Sequence, residues 1–217
     1  MTPEVAVWPR PRALLLDAMG TLIGLRASVG TTYAEAAARH GLRVEPDVID
    51  RSFPGVLRAA PPLAFPTLEE SALAAAELDW WAARIDEVLI AAGGEPAPAD
   101  LHQELFELYG DPGRWRVYDD VAACLPRWRE QGLRLGVVSN FDQRLQGVLE
   151  GLGLAPLFDV VVVSSRCGAA KPSATPFLQA LAALELEAGQ AWHVGDSPED
   201  AAGARAAGLP CLLVRRP

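Results

Sequence analysis

The stretch AWHVGDSPEDAAGARAAG, residues 191–208, decides the fold. Ala191–Val194 reads as a strand. Glu199–Ala207 reads as a helix, with Gly208 as its C-cap. The same rhythm runs upstream. Leu133–Val138 is a strand followed by helix Gln143–Gly151, and Val160–Val163 is a strand followed by helix Thr175–Leu184. Helix Asp119–Gln131 leads into this series, and the short strand Cys211–Val214 ends it. Near the start, Ala13–Leu16 is an apolar run ending at Asp17. Strands alternating with helices predict an α/β fold, a parallel sheet covered on both faces.

Residues from about 28 to 110 break the rhythm and carry helix-like segments only. These are Ser28–His40 closed by Gly41, Pro46–Ala60 interrupted near Pro54, Ala74–Ala92 ending at Gly93-Gly94, and Ala99–Tyr109. Pro61–Pro66 reads as a loop. The expected organisation is a core of residues 1–24 and 113–217 with a helical cap of 25–112. Of the 217 residues, 50% are hydrophobic and 22% charged, which supplies a core and excludes global disorder. The net charge of −9 and pI near 4.8 describe a surface that repels phosphate backbones, so no nucleic-acid partner is expected. No apolar run reaches the ~18 residues of a membrane span, and MTPEVAVWPRPRALLLDAM does not read as a signal peptide. Cys124, Cys167 and Cys211 form no CxxC pair. Neither a thiolate metal site nor a disulfide framework is expected, and a reducing cytoplasm is the natural setting.

In an open parallel sheet, function gathers at the carboxyl ends of the strands. Asp17 follows the first strand and Ser139-Asn140 the second; Lys171 lies beyond the third, Asp196 and Asp200 beyond the fourth. A nucleophile-capable carboxylate, a hydroxyl, an ammonium and two further carboxylates would meet on one rim. Composition singles out two of them. The chain has 18 Arg and one Lys, Lys171, and its one Asn is Asn140. Chance would put the lone Lys at that rim position about one time in nineteen.

These residues carry a resemblance to the haloacid dehalogenase-like hydrolase superfamily over essentially the whole chain. Asp17-Ala18-Met19-Gly20-Thr21-Leu22 matches D-x-x-G-T-L, and Val137-Val138-Ser139-Asn140 matches a strand ending in Ser or Thr. Lys171-Pro172 matches the third motif, and Gly195 through Gly208 fills every fixed position of G-D-S-x-x-D-x-x-G-A-x-x-A-G. Ser139-Asn140-Phe141-Asp142 and the Trp115 to Tyr118 approach are most similar to the rhythmically-expressed-gene-2-like branch. The resemblance implies a three-layer Rossmann-like core with a parallel sheet and an inserted all-helical cap, which would close over the rim and set specificity.

It also implies roles. Asp17 would be the nucleophile, splitting one hard displacement into two through an aspartyl phosphate. Thr21 would orient the loop, while Gly20 lets the backbone approach the substrate. Ser139 would donate to a phosphoryl oxygen, with Asn140 beside it on the substrate. Lys171 would neutralise charge on the transferring group. Asp17, the Met19 carbonyl, Asp196 and Asp200 would hold Mg²⁺, whose preferred ligands are oxygens. Each residue type also has a plainer use. A Ser-Asn pair after a strand is a common helix N-cap. Ser197-Pro198-Glu199-Asp200 is a good helix start, which accounts for Asp200 but not Asp196.

Met19 departs from the phosphatase pattern, which carries a second Asp two residues after the nucleophile. A thioether exchanges no protons at neutral pH, and general acid–base catalysis contributes about 10²–10⁴-fold. Three readings follow, in order of preference. The first is a Mg²⁺-dependent phosphatase of reduced power, acting on a small phosphorylated or activated phosphate substrate. The second is a dehalogenase-type hydrolase working through an aspartyl ester. The third is a catalytically silent binding protein that keeps the fold. Trp80 and Trp81 are expected to pack within the cap, with one of them facing the substrate as the alternative; His193 receives no role, and His40, His102 and Arg26 read as surface or cap residues. Oligomeric state is not written in the sequence.

Overall fold

The computed structural model describes residues 9–216. The chain enters through β1 (Ala13–Leu16) and β2 (Ile23–Leu25), then runs through four helices: α1 (Val29–Arg39), α2 (Pro46–Ala59), α3 (Glu70–Ala91) and α4 (Ala99–Gly110). It returns through β3 (Trp115–Val117), α5 (Asp119–Glu130), β4 (Arg134–Ser139), α6 (Arg144–Gly151), β5 (Val160–Val163) and α7 (Ser164–Cys167). It closes with α8 (Thr175–Ala183), β6 (Ala191–Gly195), α9 (Pro198–Ala206) and β7 (Cys211–Leu213). Five strands form one parallel sheet in the order β5-β4-β1-β6-β7. This is the Rossmann-like α/β architecture expected from the alternation.

The pleat of β1 shows why the strand reads as an unbroken apolar run. Leu14 and Leu16 point to one face, packing with Val121 and Leu125 of α5 and Leu145 and Val148 of α6. Ala13 and Leu15 point to the other, packing with Phe177 and Leu181 of α8 and Ala204 of α9. A strand covered on both sides needs apolar residues at every position. Because β1 lies between β4 and β6, their carboxyl ends meet where the strand order reverses, and a crevice forms there. The inserted helices bury a core of their own, which includes Tyr33, Ile49, Val88, Leu101 and Leu105. Among the described residues no helix is long and apolar enough to cross a membrane.

Three local expectations change. First, β2 and β3 pair antiparallel, Ile23 opposite Val117 and Leu25 opposite Trp115, at the stem of the helical insert. Strands of three residues are too short to show a period, and their partner lies far along the chain. Second, α2 is continuous through Pro54. An interior proline costs roughly 3 kcal/mol. The helix offsets that by burying Ile49 completely and packing Phe53 and Val56 against the insert core. Third, α3 starts at Glu70, a turn earlier than the Ala/Leu/Trp pattern indicates.

Candidate active site

Lys171 is the centre of the rim. Its side chain is buried, 3% exposed, yet its ammonium is fully satisfied. Nζ donates to Asp17 Oδ1 at 2.6 Å, to Asp200 Oδ1 at 2.6 Å and to the Val138 carbonyl at 3.1 Å. Three N–H groups meet three acceptors. Burial alone would lower the Lys171 pKa, but the charges of Asp17 and Asp200 more than offset it and hold it above the usual lysine value. A guanidinium, planar and with five donors, does not fit three acceptors set around a point.

Asn140 explains how Lys171 is held. Its Nδ2 donates to the Lys171 carbonyl at 3.0 Å, and its Oδ1 accepts from the Lys171 amide at 2.7 Å. The side chain expected beside the substrate therefore clamps the lysine backbone. Neither Ser139 nor Asn140 caps a helix, because α6 starts later, with Gln143 as its N-cap. Ser139 ends β4, buried at the floor of the cleft.

Asp200 joins two readings that the sequence kept apart. Ser197 Oγ accepts from the Asp200 amide and Asp200 accepts from the Ser197 amide, the reciprocal capping box that starts α9. The same carboxylate binds the site. Oδ1 accepts from Lys171 and lies 2.8 Å from His193 Nε2. Oδ2 accepts from the Asp196 amide, the Ser197 amide and Ser197 Oγ. Burial would raise this carboxyl, but the His193 hydrogen bond and the Lys171 charge hold it well below the usual carboxylate range. His193, given no role from sequence, is fully buried, with Nδ1 2.9 Å from the Leu15 carbonyl. It ties the floor of the sheet to Asp200.

Asp196, at the end of β6, accepts from Thr21 Oγ1 at 3.1 Å, so the β1 loop and the β6 loop are joined across the rim. Burial and the neighbouring Asp17 charge push its carboxyl up. Gly20, at φ +84°, is what lets them approach: a Cβ there would lie 2.4 Å from Asp196 Oδ2. Oxygens of Asp17, Asp196 and Asp200 lie within 4.8 Å of one another. Met19 stands beside this cluster with its side chain 44% exposed. A cleft of about 480 Å³ opens over these groups, walled opposite by Leu57 and Trp81 from the inserted helices.

A second network joins the insert to the loop after β4. Asp142 is fully buried and takes two bonds from the Arg144 guanidinium, Nε at 2.8 Å and Nη2 at 2.6 Å. It also accepts from Trp81 Nε1 at 2.7 Å. Arg144 Nη1 donates to the Phe106 carbonyl, and Glu77 accepts from the Gln143 amide at 3.2 Å. Sequence reasoning left Trp81 in packing, because its partner is 61 residues away and no local pattern reports that. His40 and His102 bond to Glu104 and Asp86 within the insert, and Arg26 is exposed. Trp81→Phe removes one hydrogen bond to a buried charge and is expected to cost about 1.5–3 kcal/mol, read from the denaturant midpoint. An unchanged midpoint would show that the bond contributes nothing.

Comparison with known proteins gives a consistent picture. A family profile described as haloacid dehalogenase-like hydrolase matches residues 11–208. Haloacid dehalogenase-like hydrolase domain-containing protein 3 of Homo sapiens is 37% identical over 209 residues, covering 95% of this chain and 82% of that protein. A phosphoglycolate phosphatase of Rhodospirillum rubrum is 42% identical over 100 residues, 45% of this chain and 41% of that one. Among solved structures, CbbY of Rhodobacter sphaeroides in complex with phosphate superposes with a TM-score of 0.68 at 21% identity, covering 95% of this chain and 87% of that one. L-2-haloacid dehalogenase of Xanthobacter autotrophicus gives a TM-score of 0.66 at 21% identity, covering 94% and 77%. The fold alone therefore does not separate attack on phosphorus from attack on carbon.

Proposed function

The chain belongs to the haloacid dehalogenase-like hydrolases, and on that footing we propose that it is a Mg²⁺-dependent phosphatase acting through an aspartyl phosphate on Asp17. The observation that carries this is the Lys171 ammonium, 2.6 Å from Asp17 and opposite the Thr21-held Asp196. The second carboxylate needs a cation, and the phosphoryl group needs charge neutralised on its oxygens. Attack on the carbon of a 2-haloacid leaves no phosphoryl oxygens to neutralise.

The donor set fits magnesium. Oxygens of Asp17 and Asp196 lie within 4.8 Å of each other, and hard oxygen ligands are what this ion takes. We assign Asp17, Asp196 and the Met19 carbonyl as its ligands. Asp200 was expected among them from sequence. Its two oxygens already serve five donors, so we assign it to fixing Lys171 and the Asp196 backbone behind the ion. Bound there, Mg²⁺ supplies charge neutralisation for the transferring phosphoryl group.

In the first half-reaction an Asp17 oxygen attacks phosphorus, and the P–O bond to the leaving group breaks with its electron pair going to that oxygen. Ser139 donates to a phosphoryl oxygen, and Lys171 stabilises the charge that gathers there. In the second, water attacks phosphorus and Asp17 is released with inorganic phosphate. Met19 takes no part in proton transfer, so both the poor leaving group and the attacking water go unassisted. The helical insert acts as a cap that excludes bulk water.

Turnover of p-nitrophenyl phosphate and acetyl phosphate in Mg²⁺, lost in EDTA, is the expected result. Met19→Asp restores a proton carrier and is expected to raise kcat on alkyl phosphates by about 10²-fold or more. Met19 favours the second reading, a dehalogenase, to the extent that halide leaves without a proton. Release of halide from 2-chloropropionate with no phosphatase activity would establish that reading instead. A binding protein without turnover is silent in both assays.

A further inference from the structure

Part of the lining of the cleft is apolar. Five of its lining residues, Met19, Leu25, Leu57, Trp81 and Phe141, also line a recess of about 60 Å³ between the insert and the core. They form one apolar wall that begins next to the nucleophile and runs inward. Among the described residues that line the cleft, Lys171 is the sole basic side chain, and both of its ion pairs are internal. The Arg144 guanidinium borders the recess but is spent on Asp142 and the Phe106 carbonyl. Arg26 is exposed and lines an adjoining outer groove with Asp50, which shares Met19, Leu25 and Leu57 with the cleft. The other charged groups in the cleft, Asp17, Asp196 and Glu199, are acidic.

A leaving group with a carboxylate or a second phosphate would thus enter a space whose cations, Lys171 and the proposed Mg²⁺, are committed to the carboxylates and the transferring phosphoryl group, at a heavy desolvation cost. An apolar leaving group would cover the exposed Met19 side chain and the half-buried Trp81 indole instead. The chemistry at Met19 adds an independent constraint. With no general acid beside the ester oxygen, the leaving group must depart as an anion that is stable without a proton.

We propose that the substrate is the phosphate monoester of an apolar aromatic hydroxyl, with its ring against Met19, Leu57 and Trp81. This deepens the phosphatase reading and rests on it. The reaction is aryl phosphate plus water giving phenol plus inorganic phosphate. The aryl oxygen leaves Asp17-bound phosphorus as phenolate and takes its proton from solvent. Size sets where the ring goes. A cavity of about 150 Å³ holds benzene, so a recess of about 60 Å³ accepts only a small alkyl substituent. The ring itself lies in the cleft, whose 480 Å³ is within the usual range for small ligands.

The test separates this proposal from the reading beneath it. Calorimetric binding to the wild-type protein in Mg²⁺ compares phenylphosphonate, 4-ethylphenylphosphonate and phosphonoacetate, none of which is hydrolysed. The aryl phosphonates are expected to bind at least about tenfold more tightly than phosphonoacetate, whose carboxylate finds no partner. Leu57→Asp is expected to cut that preference by about tenfold or more, because it adds a charge to the apolar wall. Equal binding, tighter binding of phosphonoacetate, no binding of any phosphonate, or a preference indifferent to Leu57→Asp would each overturn the proposal. Aryl preference without any turnover of phenyl phosphate would keep the site and discard the phosphatase reading. Turnover of phosphoserine or phosphoglycolate ahead of phenyl phosphate would keep the phosphatase and discard the aromatic substrate.

Discussion

Asp17→Asn is expected to lower kcat on p-nitrophenyl phosphate by about 10⁴-fold or more. The substitution keeps the shape of the side chain and leaves Lys171 paired to Asp200 at 2.6 Å. It removes the carboxylate proposed to attack phosphorus. Nothing nearby replaces it: Asp196 is turned toward Thr21, and Asp200 is saturated by its own donors. The thermal midpoint checks that the fold survives, and single-turnover kinetics check the chemistry. A variant with more than a tenth of wild-type kcat would show that a water, and not Asp17, attacks phosphorus.

Lys171→Met carries the second large effect, and it falls on stability as well as rate. The variant leaves Asp17 and Asp200 buried without the cation between them. Breaking a buried ion pair from one side costs about 3–5 kcal/mol. For a chain of this size that is a fall of roughly 10 °C in Tm. Turnover is expected to fall by about 10²–10³-fold as well, because the positive charge beside Asp17 that offsets the developing charge is gone. Lys171→Arg separates the two effects. It keeps the charge but cannot reproduce three bonds around one nitrogen, so it is expected to recover part of the stability and little of the rate. Full activity in Lys171→Arg would mean that charge alone matters at this position.

How much of this was legible in the sequence depends on where the physical cause lies. The α/β order was legible because sheet strands such as Val160–Val163 and Ala13–Leu16 are continuous apolar runs, and that pattern is local. The rim was legible because residues after parallel strands converge whatever their partners. Lys171 stood out further against 18 arginines. The β2–β3 pair was hidden because each strand has three residues and the partners lie across the whole insert. His193 was hidden because its meaning depends on Asp200, seven residues on, folding back through the capping box of α9. Asp200 itself looked like a choice between helix start and site residue. The structure uses one carboxylate for both, and a sequence reading that weighs them as rivals misses that. The aromatic and acidic residues that bind the insert to the loop after β4, Trp81 with Asp142 and Glu77 with Gln143, carry no spacing signal at all.

The central claim is that Asp17 becomes phosphorylated and that Met19 leaves the second step unassisted. Both are visible in one measurement: intact and peptide mass spectrometry after an acid quench during turnover of p-nitrophenyl phosphate in Mg²⁺. One added phosphoryl group is expected on the peptide that contains Asp17 in a large fraction of the wild-type protein. Little is expected in Met19→Asp, where water is activated and the intermediate drains. Turnover with no phosphoryl group on that peptide at any quench time, or one located on another residue, would contradict the claim.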